Sequence, residues 1–245
     1  MPIVEPYRLE YTVRGYDCGY GGPLKVLALT NFFQEAAGNH AAWLGIGMEA
    51  LAPQGRTWML SRIDLRMDRS PAAGDRVEVL TWPAGTKGIF ALRDLVMRDS
   101  VSHEVLVRAV YAYLVVDVAA RKPLRPDRCF NFELPRGADP HPVPDFDFSI
   151  PREDPDSGGA VSFKEQASPR HIDPNGHVNN AFILDWLADA VPRECRGETG
   201  RIGSMKVEFA AELLEGDLVE ARISVLRALD EGYPLPGQCF NALAC

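Results

Sequence analysis

The 245-residue chain lacks most of the features that announce a ligand or a compartment. Its five cysteines, Cys18, Cys129, Cys195, Cys239 and Cys245, stand singly, with no CxxC pair. That spacing supports neither a zinc ribbon nor a disulfide framework, so reduced thiols are expected. Basic charge is in deficit, with 26 Lys and Arg against 34 Asp and Glu for a formal net charge of −8. Nucleic acid is then a poor partner, because phosphate binding needs a basic face. No Walker or GxGxxG loop occurs. The segment Gly19-Tyr20-Gly21-Gly22-Pro23 is glycine-rich but lacks the lysine and the spacing, and reads as a turn. Ser61 has no Gly-x-Ser-x-Gly context, which disfavours a serine hydrolase. No apolar run approaches the ~20 residues that span a bilayer. Met1 to Pro6 lacks the basic and apolar blocks of a secretion signal. A soluble, cytoplasmic protein is the expectation.

What is present is an ordinary globular composition, 46% hydrophobic and 24% charged, long enough for one large domain or two moderate ones. Tyr7 to Tyr16 alternates as a strand does. Leu24 to Leu44 carries apolar residues at helical spacing, among them Leu24, Leu27, Ala28, Phe32, Ala36, Ala37 and Leu44. Four strands are expected next, over Thr57–Asp68, Arg76–Pro83, Ile89–Arg98 and Val105–Val118. From Arg121 to Gly159, eight prolines followed by Gly158-Gly159 predict a linker or crossing loop with no room for regular structure. The pattern then restarts with a strand at Val161–Ala167, a helix at Ala181–Val191, and strands at Ile202–Ala211 and Leu218–Leu229. Strand, helix and several antiparallel strands, given twice, describe an α+β fold in which a curved sheet wraps a helix, duplicated. After Leu229 the run Asp230 to Gly237 breaks any strand and Asn241–Cys245 is short. The second sheet is therefore expected to end truncated, with an exposed edge.

One segment concentrates polar chemistry: Asp173-Pro174-Asn175-Gly176-His177-Val178-Asn179-Asn180, directly before the apolar helix. By composition it reads as a surface turn, and Asn179 or Asn180 as a helix N-cap. A polar cluster at a helix N-terminus also has unpaired N–H groups able to hold an oxyanion. His171, Asp173 and His177 lack a third or fourth partner at metal-ligand spacing, so no metal is expected. His40, in the first helix, reads as a helix-face histidine hydrogen-bonded in place. The basic run Arg121 to Arg128 reads as a solvated loop that could dock an acidic partner.

In its order, Asp-x-Asn-x-His-Val-Asn-Asn resembles the signature of the acyl-acyl carrier protein thioesterases of the hotdog superfamily. Trp58-Met59-Leu60-Ser61-Arg62, Thr81-Trp82-Pro83, Leu92-Arg93-Asp94 and Ala120-Arg121-Lys122-Pro123 also resemble family segments. The resemblance implies a double hotdog, two antiparallel sheets each wrapped around a central helix. Residues 1–128 would form an N-terminal hotdog holding the acyl chain, 129–160 a Pro-rich linker, and 161–245 a catalytic C-terminal hotdog. It implies hydrolysis of acyl-acyl carrier protein to free fatty acid, without cofactor. An acyl-loaded carrier protein is the expected partner, and a homodimer stays open. It also implicates Asp173, Asn175, His177 and Glu212. Glu212 or His177 would activate water, Asp173 would orient and charge the site, and Asn175 with the N–H groups of Val178 to Asn180 would hold the thioester oxygen.

The chain departs from the family pattern at two places, the tail after Leu229 and the strand that carries Glu212. Aromatic-Arg-Arg-Glu-Cys becomes Phe209-Ala210-Ala211-Glu212-Leu213, so both arginines and a cysteine nucleophile are absent. Glu208, two strand repeats earlier and on the same face if the strand runs on, is the rival base. A non-catalytic acyl-binding or regulatory hotdog and an acyl-CoA thioesterase remain alternatives; a hotdog dehydratase is disfavoured by the Asn175 to Asn180 run.

Overall fold

The computed structural model describes residues 3–130, 134–137, 140–149, 160–191, 202–226 and 239–244. Its first elements are β1 (Ile3–Val4), β2 (Tyr7–Thr12), α1 (Val26–Trp43), α2 (Met48–Leu51), β3 (Arg56–Met67), β4 (Arg76–Lys87), β5 (Phe90–Asp99) and β6 (Val105–Asp117). There follow β7 (Lys122–Leu124), β8 (Arg136–Gly137), β9 (Ala160–Gln166), α3 (Asn180–Ala190), β10 (Ser204–Glu208), β11 (Leu218–Leu226) and β12 (Cys239–Ala244). The class is α+β, as expected.

Alternate residues of the central strands carry the core. Ile63, Leu65 and Met67 of β3, Val77 and Val79 of β4, Leu95 and Met97 of β5, and Val107, Ala109 and Tyr111 of β6 are all buried. Register lines them up: Leu65 faces Ala109, which faces Leu95, which faces Thr81. Strand pleat puts every second residue on one face, and α1 lies on that face. It buries Leu29, Phe33, Ala36, Ala37 and His40 at the spacing of one helical stripe. Phe33 meets Tyr111 edge-on at 6.2 Å.

The opposite face carries a row of a different kind: Asp64, Val110, Asp94 and Trp82, in register and all buried. They are buried because the proline-rich segment crosses over them. Asp147 N–H donates to Asp64 Oδ2 at 3.1 Å, and His141 Nδ1 lies 3.0 Å from Asp94 Oδ1. Gly137 sits on the Trp82 ring so closely that a Cβ there would be 2.2 Å from Trp82 Cδ1. Burial pushes the Asp94 carboxyl up to about 6 against the pull of His141. The expectation that 121–159 has no regular structure is thus corrected. β7 pairs with β6, Pro126–Arg128 forms a 3-10 turn, and β8 pairs in parallel with β1. Prolines forbid long elements there, not short edge strands and turns.

The division of strands also differs from two sheets built one from each half. β10 pairs antiparallel with β3, so the large sheet runs β10-β3-β6-β5-β4-β2, with β7 on β6. The second sheet is β12-β11-β9. α3 lies beside α1, Leu184 and Val207 enter the first core, and Asp185 Oδ1 accepts the Leu27 N–H at the α1 N-terminus at 3.3 Å. β10 was expected to continue to Ala211 and stops at Glu208. Its partner β3 bulges at Ser61, whose carbonyl takes the Phe209 N–H, and the ladder ends there. The expected truncation after β11 is also corrected: β12 pairs with β11 from Ala221 to Leu226 and is itself the last strand of the sheet among the described residues. The strand-breaking stretch 230–237 lies outside the described residues. No helix among the described residues is long and apolar enough to cross a membrane.

Candidate active site

Ile172 and Val178 bridge antiparallel across a three-residue loop of Pro174, Asn175 and Gly176. Asp173 N–H donates to His177 O at 2.8 Å, and Gly176 N–H to Asp173 O at 2.9 Å. Gly176, with φ +84, takes the left-handed position that such a miniature hairpin requires. The Asp173 carboxylate accepts Asn175 N–H at 2.8 Å, Asn175 Nδ2 at 3.2 Å and His177 N–H at 3.5 Å. It therefore sets the shape of the turn as an Asx residue does. Asn175 is exposed and its amide leans back on Asp173.

Asn179 is the N-cap of α3, its Oδ1 accepting Ala181 N–H at 2.9 Å. The N–H groups expected to hold an oxyanion are mostly committed: Val178 N–H donates to Leu213 O and Asn179 N–H to His171 O, both at 2.8 Å. Only the Asn180 N–H of the three has no partner among the described residues. His171 is a structural residue beneath the turn. Its Nδ1 accepts Ser168 N–H and its Nε2 lies by Arg170 Nε, both at 3.0 Å. The ring packs edge-on to Phe182 and Trp186, and burial holds its pKa below the usual histidine value, helped by Arg170.

The Val178–Leu213 hydrogen bond stitches the turn to the loop after β10 and carries Glu212 alongside. Glu212 Oε2 lies 3.5 Å from His177 Nε2, and both side chains are about four-tenths open to water. Asp173, Asn175, His177 and Glu212 thus come together, although Glu212 stands on a loop rather than on a strand. Glu208, the rival, is on β10 and accepts from Arg62 Nη2 at 2.8 Å. One functional neighbour was missed. Arg121, from the turn between β6 and β7, donates through Nη2 to Glu212 Oε2 at 2.7 Å. Its signals in the sequence were its place in the family-like segment Ala120 to Pro123 and in the basic run Arg121 to Arg128.

A second polar cluster lies inside the first core. Arg93 Nη1 lies 3.2 Å from His40 Nδ1 and donates to Thr81 Oγ1 at 3.3 Å, and Tyr7 stacks on His40 at 5.3 Å. Burial, then the Arg93 charge, holds His40 down to about 4. Burial also lowers Arg93 to about 10.

Residues 5–127 match the model of the acyl-ACP thioesterase N-terminal domain and residues 160–232 that of the C-terminal domain. A chloroplastic palmitoyl-acyl carrier protein thioesterase of Cuphea hookeriana is 28% identical over 244 residues, covering 94% of this chain and 56% of the relative. The chloroplastic oleoyl-acyl carrier protein thioesterase 1 of Arabidopsis thaliana is 26% identical over 229 residues, covering 88% and 62%. The chain spans little more than half the length of the curated relatives it matches. In fold it is similar to the 12:0-ACP thioesterase from Umbellularia californica, with TM-score 0.78, 23% identity, and 98% and 92% of the two chains covered. An acyl-ACP thioesterase from Bacteroides thetaiotaomicron gives TM-score 0.75 at 22% identity, covering 90% and 87%.

Proposed function

Because the chain belongs to the acyl-ACP thioesterase family, we propose that it hydrolyses acyl-acyl carrier protein and releases free fatty acid. The observation that carries this reading is the approach of His177 Nε2 to Glu212 Oε2, 3.5 Å, beside a helix N-terminus and open to water. Glu212, backed by His177, takes the proton from a water molecule. The resulting hydroxide attacks the thioester carbon. Asn175 and the Asn180 N–H, which has no partner among the described residues, receive the developing negative charge on the thioester oxygen. Collapse expels a thiolate, and the low pKa of a thiol makes a strong acid at the leaving group unnecessary. Asp173 serves by holding the turn. Apart from Arg121, which pairs with Glu212, the basic run Arg121 to Arg128 offers the acidic carrier a local positive surface on a chain of net −8.

The test is release of free thiol from acyl carrier protein thioesters of several chain lengths, with Glu212→Gln and His177→Gln in parallel. Turnover that falls by ~10²-fold or more in each variant is the expected result. Tight acyl binding without turnover would replace the hydrolase with an acyl-binding protein.

A further inference from the structure

The charge that completes this site comes from the other half of the chain. We propose that Arg121 is the positioning residue of Glu212, supplying from the first half the cation that Ala210 and Ala211 do not provide beside it. The inference rests on Glu212 being the working carboxylate.

Three observations carry it. Arg121 donates to Glu212 Oε2 at 2.7 Å, the same oxygen that faces His177 Nε2 at 3.5 Å. Glu212 Oε1 has no partner among the described residues, so pinning one oxygen leaves the other as the free acceptor. The Arg121 backbone is also held in place, although its side chain is largely exposed. It takes φ +51, a left-handed conformation uncommon outside glycine, at the corner of the β6–β7 hairpin. Asp117 braces that corner, its Oδ1 accepting Ala120 N–H at 2.8 Å and its backbone pairing with Lys122. Glu212 has less support, because the β10 ladder ends at Glu208 and, among the described residues, only the Val178–Leu213 backbone bond ties its loop to the turn.

The cation selects one orientation of the carboxylate, and it shares with His177 the single oxygen that both face. Among the described residues the charged or titratable groups facing Glu212 are Arg121 and His177. Asp173 is committed to its turn and Glu208 to Arg62.

The experiment compares wild type, Arg121→Ala and Arg121→Lys on acyl carrier protein thioester at about pH 8. In Arg121→Ala kcat should fall by roughly 3- to 10-fold with KM nearly unchanged, and Arg121→Lys should recover part of the loss. A rise in KM alone would make Arg121 a carrier-docking residue. A lower Tm with kcat unchanged below the melt would make it merely structural. Either result overturns the proposal. NMR shifts of the His177 ring at the same pH, assigned with His177→Gln, read the same contact without turnover: they should move in Arg121→Ala, and unmoved shifts overturn the proposal even if the hydrolase reading fails.

Discussion

Asp173 and Glu212 bring two carboxylates to one site and spend them differently. Asp173 has its oxygens occupied by the N–H groups and amide of its own turn, whereas Glu212 keeps one oxygen free of described partners. Asp173→Ala should therefore cost both activity and local order. Amide exchange at Asn175, Gly176 and His177 should speed up by about 5-fold, the effect of losing a hydrogen bond of roughly 1 kcal/mol. Glu212→Gln should abolish turnover and leave that exchange unchanged. Equal exchange in the two variants would mean that Asp173 does not hold the turn. Asp173, Asn175 and His177 were legible together because they lie within five residues of one another. Arg121 was not, because its partner is 91 positions away, and composition could say only that it was a cation in a loop.

At the scale of elements, helix α1 and strands β3 to β6 follow from apolar spacing alone, and their ends lie within a few residues of those expected. Which strand neighbours which does not follow. Period-two alternation tells which face a side chain takes and nothing about the partner, so the pairing of β10 with β3 and the covering of Trp82 by Gly137 were out of reach. That last contact gives a sharp test. In Gly137→Ala the new Cβ would fall 2.2, 2.6 and 2.9 Å from Trp82 Cδ1, Cγ and Cβ, and the ring is buried under the strap. The variant should lose about 1–3 kcal/mol in urea unfolding. Asn179→Ala, which removes the acceptor of the Ala181 N–H, should cost about 1 kcal/mol. A Gly137→Ala protein as stable as wild type would show that the strap lifts freely.

For the molecule as a whole, two buried groups on opposite faces of the sheet give opposite responses to pH. Asp94 is raised from 3.8 to about 6, so its ionisation weighs against the fold and its contribution to stability is lost as pH rises from about 4 to about 6. His40 is lowered from 6.5 to about 4, so its contribution is full above 6.5 and lost as pH falls through the same window. Each is on the order of 2–3 kcal/mol, and the two nearly cancel. Relative to wild type, Asp94→Asn should make stability climb more steeply with pH between 4 and 6.5, and His40→Gln should make it climb less or decline. Urea midpoints at four pH values in this range check the signs, and parallel profiles for all three proteins would refute the assignment.

The β10–β3 ladder bears on how the molecule comes apart. A cut in the chain between residues 149 and 160 would leave one fragment with a naked strand edge on β3 and the other with a strand that has no sheet to join. Neither piece is a unit in its own right, so co-expressed fragments should find each other or precipitate. Melting should likewise show a single cooperative step in place of the two that independent halves would give.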